Sequence, residues 1–138
     1  MKNVFFSLMS AVILLSACNQ SNNSTTAGAA GSAAVMTFEK QSHDFGKIQT
    51  GGIVSYDFKF KNTGSSPLII TDGRATCGCT TPTWPKTPVK PGESGVIHVT
   101  FNSTGKQGLQ DKQITLTANT TPPENVVHLI GEVLITQK

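Results

Sequence analysis

An all-β fold is predicted by three features of this chain: apolar residues alternating with polar ones, short runs bounded by turn formers, and no helical stripe. Of its 138 residues only 14% are charged, while 13 are Gly and 7 are Pro, a balance that disfavours helices. No eleven-residue window after the leader spaces its apolar residues at helical period. At this length there is room for one domain of ordinary size.

The alternation is clearest from Val54 to Lys61, where Val54, Tyr56, Phe58 and Phe60 share one face of a strand and Ser55, Asp57, Lys59 and Lys61 the other. Asn62-Thr63-Gly64 ends that run with turn chemistry. Leu68-Ile69-Ile70, after Pro67, predicts a short strand. Ile97, Val99 and Phe101 predict another, and Ile114 with Leu116 a third. Val127, Leu129, Val133 and Ile135 predict a long last strand, with Gly131 as a bulge or a close backbone approach. The core face therefore holds Tyr56, Phe58, Phe60, Ile97, Val99, Phe101, Ile114, Leu116, Leu129 and Val133. Strands and turns in this order over about 100 residues describe an immunoglobulin-like antiparallel β-sandwich of about seven strands, spanning residues 35–138. The Cys–Trp–Cys spacing of antibody domains is missing, so the likeness is one of architecture.

Ahead of the sandwich, Met1-Lys2-Asn3 forms a basic head and Val4 to Leu15 an uncharged apolar stretch. A membrane span needs about 20 apolar residues, so residues 1–17 read as an export signal. Leu15-Ser16-Ala17-Cys18 resembles the lipobox of bacterial lipoproteins, whose cysteine is acylated and becomes the first residue of the mature chain. That resemblance implies a lipid on Cys18, the membrane as a partner, and a cell-envelope location. Asn19 is not the aspartate that signals inner-membrane retention, which favours the outer membrane. Residues 18–34 are small and polar and predict a disordered tether with a reach of about 20–25 Å.

The formal net charge is +3, and the cations are scattered along the chain. Nothing forms the dense basic stripe that a phosphate backbone requires, so nucleic acid is excluded as a partner. Asp44-Phe45-Gly46 spells a kinase triplet without the other kinase motifs. Phe45 is expected to pack inward, Gly46 to permit a turn, and His43 or Asp44 to face solvent. His43, His98 and His128 have no metal-ligand spacing, no Gly-x-Ser-x-Gly elbow exists, and carboxylates are dispersed. No catalytic residue, cofactor or metal ligand set is therefore assigned. Asn23, Asn102 and Asn119 head Asn-x-Ser/Thr triplets, read as composition in an exported bacterial chain.

Cys77-Gly78-Cys79 is the one constellation with chemistry. On a regular strand the thiols would lie about 7 Å apart on one face, too far for a disulfide. Gly78 could fold the segment into a tight turn through a positive φ. Three readings stay open: a disulfide locking a loop, which an oxidising compartment favours, a redox site, and a Cu(I) or zinc site. Trp84 sits among Pro82, Pro85, Pro88 and Pro91, in an extended loop or edge segment. It is read as a packing residue over the cysteine turn, or else as a candidate contact for a partner.

His43-Asp44-Phe45-Gly46-Lys47-Ile48, Gly51-Gly52, Phe58 to Gly64, Pro67 to Ile70, Cys77-Gly78-Cys79-Thr80, Lys90-Pro91-Gly92, Gly95 to Phe101 and Gly131-Glu132-Val133 occur in one order. Together they resemble the domain of unknown function 1573 family, exported bacterial proteins related to the immunoglobulin-like domains of hydin and major sperm protein. The resemblance covers almost all of Val35 to Ile135. It implies the sandwich and an envelope setting, and no activity. The sequence thus predicts a non-enzymatic binding or structural module held at the envelope by Cys18, with an envelope protein or glycan as partner. The alternative is a small thiol-redox or copper-binding protein using Cys77 and Cys79.

Overall fold

The computed structural model describes residues 33–135. The signal segment 1–17, Cys18 and the tether up to residue 32 lie outside the described residues. The described residues form eight strands: β1 (Met36–Phe38), β2 (Ser42–Gln49), β3 (Ile53–Asn62), β4 (Ile70–Ala75), β5 (Thr80–Thr83), β6 (Ser94–Asn102), β7 (Gly108–Ala118) and β8 (Glu124–Leu134). They form two four-stranded sheets, ordered β1-β3-β6-β5 and β2-β8-β7-β4. The described residues are all-β, as the alternation predicts.

The sequence pattern carries the core directly. In β3 the inward row includes Phe58 and Phe60, each 1% exposed, while Ser55, Asp57, Lys59 and Lys61 face water. Ile97, Val99 and Phe101 of β6 face Ile114 and Leu116 of β7 and Val127, Leu129 and Val133 of β8, all within 2% exposure. Tyr56 is half-buried, at the margin of that core. Burying one such side chain stabilises by about 1.5–3 kcal/mol, so this cluster dominates the fold's stability.

Several details differ from the sequence expectation. Seven strands become eight, and one pair is parallel: the chain leaves the first sheet after β1, crosses through Glu39-Lys40-Gln41, and β2 pairs with β8 in parallel. Leu68 is a single bridge partner of Val89 rather than a strand residue, and the strand begins at Ile70. β8 ends at Leu134, leaving Ile135 57% exposed. Gly131 is the close approach of the two alternatives, since β8 keeps unbroken register with β7 there and the bulge lies on β2. Ala34, ahead of the expected domain start, is buried and bridges Thr120.

Asn62 closes β3 on the core side and is fully buried. Its Nδ2 donates to the Ser66 carbonyl at 2.8 Å and the Val89 carbonyl at 2.9 Å, and its Oδ1 accepts from the Gly64 N–H at 3.0 Å. A buried amide costs free energy unless its donors and acceptor are used, and here they are. The turn that follows β3 is therefore built around one side chain.

Candidate functional site

The chain passes from the second sheet to the first between β4 and β5, and the cysteines occupy that corner. Cys77 and Cys79 are joined by a disulfide with Cα atoms 5.3 Å apart. The turn is tied to both sheets: Thr76 N–H donates to Gln113 O at 3.1 Å, Thr80 N–H to Cys77 O at 3.2 Å, and Asn102 N–H to Cys79 O at 2.9 Å. The Thr80 hydroxyl, on a residue only 4% exposed, lies 3.6 Å from Cys77 Sγ and 3.9 Å from Cys79 Sγ. A hollow of about 410 Å³ opens beside Gly78 and Cys79, bounded by Thr81, Thr100, Asn102 and Thr104. Gly78 does not hold a positive φ, contrary to the sequence expectation, and a Cβ there would meet open space. The turn closes through the sheet anchors on either side, so it needs no left-handed residue.

Trp84 follows β5 and packs against the core across the same corner. A Cβ on Gly73 of β4 would lie 2.6 Å from its ring, so the indole fills the place of a side chain on that strand. Lys86 Nζ stands 3.3 Å over the ring centroid, a cation–π contact. Its buried Nε1 has no acceptor among the described residues. These contacts tie the edge strands of the two sheets together, which is the packing role. Pro82 lies within β5, an edge strand, where a missing N–H costs no ladder bond.

The histidines fall at three separate places. His43 is half-buried and stacks on Tyr56 with ring centroids 3.5 Å apart, while its neighbour Asp44 faces solvent. His128 Nδ1 lies 2.8 Å from Asp111 Oδ1. His98 Nδ1 lies 2.6 Å from Asp57 Oδ1, its Nε2 is 3.3 Å from Thr100 Oγ1, and Thr100 Oγ1 is 3.1 Å from Ser55 Oγ. Sequence spacing gave no hint of this acid–imidazole–hydroxyl row, because Asp57 and His98 meet only through β3–β6 pairing. Their side chains are 57% and 49% exposed, where water screens the pair, so the row is a cross-strand polar ladder. Among the described residues no three His, Cys, Asp or Glu side chains form a metal-binding group. Lys112 of β7 lies 5.2 Å from the Phe101 ring, and its pKa is lowered by burial and by Lys106, with Asp111 opposing.

β3 offers a second site, an unpaired backbone edge. β1 pairs with β3 only over Phe60–Asn62. Glu39 N–H donates to Lys59 O and Thr63 N–H to Val35 O, both at 3.0 Å, so odd-numbered residues of β3 turn their backbone groups toward the β1 side. By that parity Ile53, Ser55 and Asp57 direct N–H and C=O along an edge that no described strand covers. A groove of about 620 Å³ runs beside it, lined by Glu39, Lys40, Ser55, Asp57, Lys59 and His98.

Two sheets with this order, a crossover from the first sheet to the second between β1 and β2, and a return crossing at the β4–β5 corner define an immunoglobulin-like β-sandwich. The chain belongs to the family described as protein of unknown function (DUF1573), which matches residues 36–133. No curated protein matches it in sequence. Among solved structures it is similar to a protein of unknown function from Porphyromonas gingivalis W83, with a TM-score of 0.66 and 20% identity over 78% of this chain. The match covers 51% of that protein, so this chain spans about half of its length. The PapD-like domain 7 of human CEP192 superposes with a TM-score of 0.56 at 11% identity, covering 76% of this chain and 89% of that one. The secreted serine protease VesC of Vibrio cholerae gives 0.56 at 12% identity, covering 75% of this chain and 23% of the protease. These likenesses show the fold.

Proposed function

We propose that the protein is a non-enzymatic binding module, anchored at the cell envelope through a lipid on Cys18, that docks an extended segment of an envelope protein along the open edge of β3. The unpaired backbone row at Ile53, Ser55 and Asp57 carries this reading. A row of alternating donors and acceptors is satisfied best by another strand, and strand addition is a recurrent way for sheets to bind peptides. Alternate side chains of the added strand would fall over Tyr56 and His43 on one face and beside Ser55 and Asp57 on the other. The favoured partner segment therefore alternates apolar and polar residues. The described chain enters at the end of the sandwich where Ala34 meets Thr120, and the open edge lies on the half of β3 away from it.

The test uses the full chain in cells with a photo-crosslinking residue at Asp57. One protein adduct is expected, and it should vanish in Ser55→Pro, which removes an edge donor and blocks strand addition, sparing the backbone bonds between β3 and β6 and losing only the Ser55 Oγ contact with Thr100. An adduct pattern that Ser55→Pro leaves unchanged rejects docking at this edge. Cys18→Ser should release the protein from membranes or stall it as precursor, since acyl chains contribute about 0.8 kcal/mol per buried CH₂. An unchanged membrane fraction in that variant rejects the anchor.

A further inference from the structure

We propose that the Cys77–Cys79 disulfide is a thiol-exchange site that accepts two electrons from a dithiol, with Thr80 as the donor to the departing sulfur. The site lies at the β4–β5 corner, and in the first sheet β6 separates β5 from β3, so this proposal stands apart from docking at β3.

Three observations carry it. The cysteines are only two residues apart in sequence, so the bridge removes little entropy from the unfolded chain. The sheets hold both ends of the turn through Gln113 and Asn102, so opening the bridge leaves the corner in place. A site that cycles between disulfide and dithiol needs that independence. Next, both cysteines are half-buried rather than enclosed, and the hollow beside Gly78 and Cys79 leaves room for an incoming sulfur. Finally, the buried Thr80 hydroxyl is within reach of both sulfurs and nearer to Cys77, where a hydrogen bond would favour the thiolate.

The reaction balances with a dithiol as reductant. Its thiolate attacks Cys79 Sγ from the hollow, and a mixed disulfide forms as the Cys77–Cys79 bond breaks. The electron pair of that bond passes to Cys77 Sγ, which Thr80 stabilises. The second sulfur of the dithiol, deprotonated, then attacks its own partner sulfur and releases the Cys79 thiolate. The dithiol leaves as a disulfide, and Cys77 and Cys79 take up the two protons it gave.

The full chain, purified without reductant, is treated with dithiothreitol, and free thiols are counted by alkylation and intact mass. Two new thiols should appear under native conditions, with the thermal transition retained. Thr80→Val should slow their appearance about tenfold, the rate equivalent of one hydrogen bond to a charged group. With oxidised glutathione as probe, Cys77→Ser should form its adduct at Cys79 faster than Cys79→Ser does at Cys77. A bridge that opens only in denaturant, or reduction that unfolds the domain, overturns the proposal. Equal rates for wild type and a folded Thr80→Val overturn the role of Thr80.

Discussion

Phe45 of β2 lies over Gly131 of β8, so closely that a Cβ on Gly131 would sit 2.3 Å from Phe45 Cε2. The contact depends on a bulge. Asp44 pairs with Ile130 and Lys47 with Glu132, so two residues of β2, Phe45 and Gly46, oppose Gly131 alone. The Asp44 carboxylate accepts the Gly46 N–H at 2.7 Å, which fixes the bulge, and Phe45 reaches Phe101 of the opposite sheet at 5.7 Å between centroids. Ring and glycine together seal the side of the core where the parallel strand joins.

Gly131→Ala should therefore destabilise the domain by about 1–3 kcal/mol, the usual effect of overpacking. Adding Phe45→Leu should recover part of that loss, giving a coupling of about 0.5 kcal/mol or more in a double-mutant cycle. Chemical denaturation of the four variants checks this. Strict additivity would show that ring and glycine do not confront each other.

Asn62→Ala should weaken the fold by about 2–4 kcal/mol, because the Gly64 N–H and the Ser66 carbonyl lose the Asn62 side chain and the Val89 carbonyl keeps only the Leu68 N–H of its two donors. Asn102→Ala, on an exposed side chain whose partner among the described residues is Thr104, should change stability by less than about 1 kcal/mol. Similar melting temperatures for the two variants would contradict the buried network.

What was legible in the sequence was whatever one strand records by itself. Phe58, Phe60, Ile97, Val99 and Phe101 announce their burial by alternation, and the structure buries each of them. β4 was legible only at Ile70, because its later inward positions are Gly73 and Ala75, with Trp84 from beyond β5 filling the space. A strand whose core face is completed by another segment shows no hydrophobic period of its own. β2 was illegible for a related reason, since its bulge at Phe45-Gly46 breaks the alternation, and parallel pairing with β8 leaves no hairpin turn to mark it. Of the sites, Cys77-Gly78-Cys79 was visible as a motif, while the buried Thr80 hydroxyl beside both sulfurs was not. The open edge of β3 depends on where β1 stops pairing, a fact of topology rather than of composition.

Phe58→Ala should cost about 3–5 kcal/mol, enough to unfold a small domain or bring it near unfolding at physiological temperature. Lys59→Ala, one residue on and facing water, should be nearly silent. Replacing both Cys77 and Cys79 by serine should cost less than Phe58→Ala, because the loop they close is so short. Circular-dichroism melts of the three variants decide the order, and a double-serine variant as unstable as Phe58→Ala would make the bridge a structural necessity.

Gly46 and Gly78 form a matched pair that separates backbone strain from steric room. A Cβ at either position would meet nothing within 4 Å, so packing treats alanine alike at both. They differ in conformation: Gly46 holds φ at 74°, where a Cβ is disfavoured, whereas Gly78 lies outside the left-handed region. Gly46→Ala should destabilise by about 1 kcal/mol and loosen the bulge that aims Phe45. Gly78→Ala should be neutral or slightly stabilising, since alanine restricts the unfolded chain without straining the folded one. It should also leave the Cys77–Cys79 bridge able to close. Denaturation midpoints and a thiol count on the two variants test the pair. Loss of the bridge in Gly78→Ala would mean that this turn needs a glycine for a reason other than its φ or the space around it.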